Sequence, residues 1–245
     1  MTASNASDTS RSTPEGHRRT RIKICGLTRE QDVDAAVQAG VDAVGFVMYP
    51  KSPRYVSPAR AAELARRLPP FVTPVMLFVN EEPSKIIAAS GHLALGIIQF
   101  HGEESPEQCD VAARACQKHW IRAARIPLQT AASFDLIKFV ADYSQAHAIL
   151  LDAHVEGFGG GGKTFNWSLL PPGVNAHLVL SGGLTPANVT EGILQVRPRG
   201  LSLAVDVSSG VEADGPGGST LKGIKDPEKI HQFVAAVRAA DRQLA

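Results

Sequence analysis

Two side chains stand where acid–base chemistry would need them. Cys25 closes the run RIKIC at residues 21–25, just before Gly26 and Thr28. Asp152 closes a second apolar run, in LLDA. A thiolate acts as a nucleophile or a base, and a neutral carboxyl donates a proton. The two together read as a base and an acid working on opposite ends of one small substrate. A cysteine next to a helix start lies near positive partial charge, so its pKa is expected to fall below that of an ordinary thiol.

Other segments supply binding groups. Gly182 and Gly183 in SGGLTPANV, and Ser209 and Gly210 in DVSSGVE, offer backbone N–H groups to an anion such as phosphate. Arg54, in YPKSPRYVS, is either a carboxylate clamp with two hydrogen bonds or a solvated surface arginine. His101, in QFHGEE, fits substrate contact or loop anchoring better than catalysis. Four glycines at 159–162 suggest a mobile lid or a close backbone approach to a ligand. No cluster has zinc-ligand spacing, so no metal is expected.

These residues need a frame. Eight short apolar runs alternate with amphipathic stretches: RIKICGL, AVGFVMY, PVMLFVN, LGIIQFH, WIRAARI, AILLDA, HLVLSG and LSLAVDV. Runs buried on both faces suit parallel strands. Thr28 with Gln31 and Ser105 with Gln108 have capping-box spacing, Asp226 marks another helix start, and Gly40 marks a helix stop. Eight strand–helix units of ~25–30 residues each predict an α/β fold, a single (β/α)8 barrel of the TIM type over residues 21–245. An open doubly wound sheet is the alternative, but its usual G-x-G-x-x-G turn is missing after the first strand. In such a barrel the chemistry collects at the C-terminal ends of the strands, where Cys25, His101, Arg122, Arg125 and Asp152 fall.

Composition narrows the class. The 245 residues are 44% hydrophobic and carry a net charge of +1. That balance implies no nucleic-acid or anionic-membrane partner. No run approaches a membrane span. Three cysteines without metal spacing fit a reducing cytoplasm, and Cys109 and Cys116 read as packing residues. Residues 1–20 carry little to bury and read as a disordered tail.

Taken together, KICGLT, GFVMYPKSPRYV, LFVN, QFHGEE, LLDA with GGGGKTFNW, LSGGLTPANV and DVSSGVE with KDPEKI resemble the phosphoribosylanthranilate isomerase family of tryptophan biosynthesis. The likeness runs from about Arg21 to Val237. It implies one barrel without cofactor or metal, a phosphorylated small-molecule substrate, and a monomer or homodimer. It implies an Amadori rearrangement of N-(5-phosphoribosyl)anthranilate. By the same resemblance Cys25 is the general base and Asp152 the general acid. Arg54 would face the anthranilate carboxylate. Gly182, Gly183, Ser209 and Gly210 would face the phosphate, and Asp206 would belong to the same floor.

Three departures stand out against that family. The lid reads GGGG where GGTG is usual, and FNW replaces FDW, so Asn166 is expected to cap the turn at Trp167. Residues 213–224 form a longer connection than usual. Two related phosphate-binding barrels compete. The histidine-pathway sugar isomerase uses two aspartates, one at the position Cys25 holds here. Indole-glycerol-phosphate synthase needs a lysine and glutamates that are not so arranged here. A non-catalytic phosphate binder on the same fold would have no use for a Cys25–Asp152 pair.

Overall fold

Each apolar run becomes a strand of one closed parallel ring in this computed structural model, which describes residues 19–128, 134–154 and 164–244. The strands are β1 (Arg21–Cys25), β2 (Ala43–Val47), β3 (Thr73–Phe78), β4 (Ile97–Phe100), β5 (Trp120–Pro127), β6 (Ala148–His154), β7 (Val174–Leu180) and β8 (Gly200–Val207). They pair in chain order, and β8 closes on β1. The helices are α1 (Glu30–Ala39), α2 (Pro58–Ala65), α3 (Pro83–Ser90), α4 (Pro106–Ala115), α5 (Leu136–Asp142), α6 (Val189–Val196) and α7 (Pro227–Gln243). Between β6 and β7 the described residues contribute only a 3-10 turn at Trp167–Leu169.

Strand alternation sorts the side chains into two cores. Ile22, Ile24, Val44, Phe46, Met76, Phe78, Leu178, Leu180, Val205 and Val207 pack outward against the helices. Inside the ring, Ile121, Ala123, Leu150 and Val179 fill one layer. Above it, Cys25 packs with Val47, Leu77 and Val79. Cys25 therefore faces the barrel interior, and so do residues of the same parity: Lys23 on β1, Gln99 on β4, Asp152 on β6 and Asp206 on β8.

The caps follow side-chain chemistry. Ser105 and Gln108 form the expected capping box of α4. Asp226 accepts the Glu228 and Lys229 N–H groups at the start of α7. Gly40 ends α1 in the left-handed region at φ 82°. Thr28 does not cap α1, which begins at Glu30; its hydroxyl donates instead to the Gly223 carbonyl at 2.7 Å.

The expected tail reached residue 20, but Thr20 is part of the fold. Its side chain is fully buried, and its N–H donates to the Asp241 carboxylate near the end of α7. Residues 212–225 are not a plain connection. β9 (Glu212–Asp214) and β10 (Thr220–Lys225) pair antiparallel as a hairpin beside the C-terminal mouth. Among the described residues no helix is long and apolar enough to cross a membrane. The three cysteines are free thiols. Burial pushes the Cys109 thiol up to about 12, which suits a packing role.

Candidate active site

One wall of the mouth is built by β1 and β8. Cys25 is 4% exposed, and the strand beside it carries no side chain at Gly45. A Cβ on Gly45 would lie 2.6 Å from the Cys25 sulfur and 3.1 Å from Lys23 Cε. The thiol and the lysine therefore share the space that this glycine leaves open. Lys23 Nζ donates to Asp206 Oδ1 at 2.8 Å, and Ser181 Oγ donates to Asp206 Oδ2 at 3.2 Å. Ser208 Oγ donates to the Cys25 carbonyl at 3.0 Å and fixes the strand end.

The thiol's electrostatics differ from the expectation. Burial pushes the Cys25 pKa up; the Lys23 ammonium opposes that rise, and the Asp206 carboxylate adds to it. The helix-terminus argument fails because α1 starts five residues beyond Cys25, past a loop. Burial also works against the Lys23 charge, but Asp206 and then Cys25 outweigh it, so its pKa is raised and it stays an ammonium.

The opposite wall is built by β4 and β6. Asp152 Oδ2 lies 3.0 Å from His101 Nε2, and His101 Nδ1 lies 3.0 Å from Gln99 Nε2. With the Gln99 amide so oriented, Nδ1 accepts and the His101 Nε2–H donates to Asp152. His101 is thus the partner of the carboxyl, which neither of its expected roles described. Asp152 Oδ1 sits 2.8 Å from where a Gly182 Cβ would be, so that turn must be bare. Arg125 is aligned with Asp152 across the β5–β6 pairing and bonds Glu103 Oε1 at 3.0 Å. Arg122 has the other parity and leaves the site. It holds the β4 loop through the Phe100 and Gly102 carbonyls and the Glu104 carboxylate, with the Tyr143 ring 4.9 Å from its guanidinium.

The two glycine loops follow β7 and β8, which lie between β6 and β1 in the ring order β6-β7-β8-β1. Gly182 and Gly183 are left-handed, at φ 77° and 65°. Asn188 staples their loop, accepting from Thr185 N and donating to the Gly183 carbonyl. Ser209 and Gly210 open a 3-10 turn. Among the described residues, none of these four N–H groups has a hydrogen-bond partner. They remain directed donors for an anion. A Cβ on Gly210 would overlap the Leu184 carbonyl oxygen, so the loops touch backbone to backbone. Gly210→Ala is therefore expected to push them apart. Phosphate-ester affinity should fall and stability should drop by about 1–3 kcal/mol, seen as a higher KM and a lower Tm.

Arg54 corrects the idea of a free carboxylate clamp. It is 7% exposed, and its Nε and Nη2 donate to Glu212 Oε1 and Oε2 at 2.7 and 2.8 Å. That side-on fork is occupied because Glu212 is wholly buried and needs cations. Lys225 Nζ and the Gly223 N–H also reach Glu212 Oε1. Burial would raise the Glu212 carboxyl, but Arg54, Lys225 and Gly223 together hold it below its ordinary value. Among the described residues, Arg54 Nη1 has no partner, which leaves that edge of the guanidinium for a ligand. The Arg54 stem presses on Gly26, where a Cβ would meet Cδ at 2.6 Å, so its charge lies beside the Cys25 turn.

Asn166 caps the Trp167 turn as expected, accepting from Ser168 N at 3.1 Å. The lid glycines at 159–162 lie outside the described residues. Sequence reading passed over Lys23, Gln99, Ser181 and Glu212. Period-two spacing was the available signal for the first two, since Lys23 and Gln99 each precede a singled-out residue by two.

Comparisons with known proteins point to one family. A family model described as N-(5'phosphoribosyl)anthranilate (PRA) isomerase matches residues 22–236. An N-(5'-phosphoribosyl)anthranilate isomerase of Methylibium petroleiphilum is 59% identical over 227 residues, covering 93% of this chain and 98% of that protein. The crystal structure of phosphoribosyl anthranilate isomerase from Thermotoga maritima superposes with a TM-score of 0.73 at 40% identity, covering 90% of this chain and 99% of that one. A further structure of such an isomerase, in complex with reduced 1-(o-carboxyphenylamino)-1-deoxyribulose 5-phosphate, has a TM-score of 0.70 at 38% identity, with the same coverage of 90% and 99%. With a matched family model spanning nearly every strand and helix of the barrel, the chain belongs to the N-(5'-phosphoribosyl)anthranilate isomerase family.

Proposed function

We propose that this chain converts N-(5-phosphoribosyl)anthranilate to 1-(2-carboxyphenylamino)-1-deoxyribulose 5-phosphate, with Asp152 as acid and Cys25 as base. One observation carries the assignment of roles. Cys25 faces the barrel interior at the end of β1 and Asp152 does so near the end of β6, and the two anion-ready glycine loops follow the strands between them.

The reaction follows from that placement. Asp152 gives its proton to the ribose ring oxygen as the C1–O bond breaks. The nitrogen lone pair completes a C1=N double bond, leaving a cationic imine. With His101 donating to Oδ2, the transferable proton is the one on Oδ1, the oxygen beside the bare Gly182 turn. The Cys25 thiolate then removes the C2 proton. The C–H electron pair forms C1=C2 and neutralises the nitrogen. The resulting enolamine tautomerises to the ketone. No electron leaves or enters the substrate, so the reaction needs no redox cofactor. The phosphate rests on the backbone N–H groups of Gly182, Gly183, Ser209 and Gly210. Asp206 belongs to the same floor, through its contacts to Lys23 and Ser181.

The carboxylate of the anthranilate ring faces the free outer edge of Arg54. Arg54→Ala is expected to raise KM by about tenfold with a smaller change in kcat, because a charge-assisted hydrogen bond contributes ~1.5–3 kcal/mol. Steady-state kinetics that leave KM unmoved would remove Arg54 from the substrate. The function itself is tested on freshly made substrate. Adding purified protein should extinguish the anthranilate fluorescence catalytically. Stoichiometric binding without turnover would sink the enzymatic reading.

A further inference from the structure

A buried thiol whose pKa is pushed up is a poor resting base, and something in the wall must offset the burial. Arg54 lies beside the Gly26 turn but is forked onto Glu212, and the other charged groups near Cys25 come from three strands. Lys23 lies on its own strand, Asp206 on β8 and Lys225 on β10. From β2 the neighbour is Gly45, and beyond it Val47, Leu77 and Val79 are apolar. Lys225 is committed elsewhere, to the Ser208 carbonyl at 2.9 Å and to Glu212. Asp206 is an anion and works against a thiolate. Among the described residues, Lys23 is the cation left for the sulfur. It is 5% exposed, and it shares the Gly45 gap with the sulfur.

We propose that Lys23 is the positioning residue that makes Cys25 a base. Its ammonium, anchored by Asp206 and through it by Ser181, is the counter-charge of the thiolate. The proposal rests on the base role assigned to Cys25 and adds how that base is charged. Asp206 acts in two senses. It holds the lysine in place, and it takes part of the lysine's charge, so the thiolate is stabilised only in part. Such a divided cation suits a base that must take up a proton and then return it. When the sulfur is protonated, Asp206 keeps the buried ammonium paired. When the sulfur is ionised, the ammonium serves both anions.

The test reads the thiolate directly. Full-length protein is treated with iodoacetamide across a pH series, and alkylation of the Cys25 peptide is followed by mass spectrometry. This separates it from Cys109 and Cys116. Lys23→Met should move the alkylation midpoint up by about one unit or more, with a parallel fall in kcat and little change in KM. Asp206→Asn removes the opposing anion and should move the midpoint down. Lys23→Arg keeps the charge and should stay near the parent protein. Thermal melting checks each variant for folding. If folded Lys23→Met keeps the parent midpoint, the proposal is overturned. If Lys23→Met does not fold, Asp206→Asn decides, and a midpoint unchanged or raised overturns the proposal. Failure of the base assignment would look different. Cys25→Ser would then turn over normally, while the two midpoint shifts would remain.

Discussion

Asp152→Asn is expected to lower kcat by about 10²–10⁴-fold, the usual contribution of a positioned general acid. The amide fills the same volume. Its oxygen can still accept the His101 Nε2–H that Asp152 Oδ2 receives at 3.0 Å, so the wall should stay in place. What is lost is the proton on the oxygen beside Gly182, and with it the means of opening the ribose ring. KM should change little, because the phosphate loops and Arg54 are untouched. The melting temperature should also stay close to the parent. The measurement is steady-state loss of anthranilate fluorescence together with a thermal melt. Near-normal turnover in a folded variant would move the acid to another group.

Cys25→Ser is expected to cost a similar factor, about 10²–10⁴ in kcat, for a different reason. A hydroxyl is close to isosteric with the thiol and leaves the packing against Val47, Leu77 and Val79 nearly unchanged. No neighbouring lysine brings a buried alcohol near ionisation at neutral pH, so the C2 proton has no acceptor of adequate strength. The two variants should stall at different points. Asp152→Asn should accumulate nothing beyond bound substrate. Cys25→Ser should still permit ring opening, and solvent deuterium should fail to enter C2. Wash-in of deuterium at C2 by Cys25→Ser would rule the thiol out as the base.

The ring of strands was readable because burial on both faces leaves a strong local trace. Eight β-branched runs at even spacing have few other ways to be covered. Cys25 and Asp152 were readable as interior residues of the mouth for the same reason, since a polar residue at the end of an apolar run stands out. Partners were harder to see. Glu212 lies 158 residues from Arg54 in sequence, and nothing local to YPKSPRYVS announces that its arginine will be held by a hairpin after β8. The pairing arises only when closure brings the first and last strands together. The cysteine's electrostatics were misread because the helix was placed too close. The loop from Gly26 to Arg29 separates the two, and the dominant charge comes from two residues back on the strand. His101 was placed at the site, but its partner on β6 is 51 residues away and carries no short-range signature.

The seam between β8 and β1 has a consequence for synthesis. Lys23 and Asp206 are 183 residues apart, and so are Ser208 and Cys25. A ribosome will have made β1 long before the strand that completes the thiol's surroundings emerges. Until then β1 presents an unpaired edge, and long-range parallel pairing of this kind forms slowly. The nascent barrel thus lacks both the anchor of Lys23 and the carboxylate that shares its charge. The pocket is assembled only with closure, so an incomplete chain displays a sticky strand margin rather than a finished hollow.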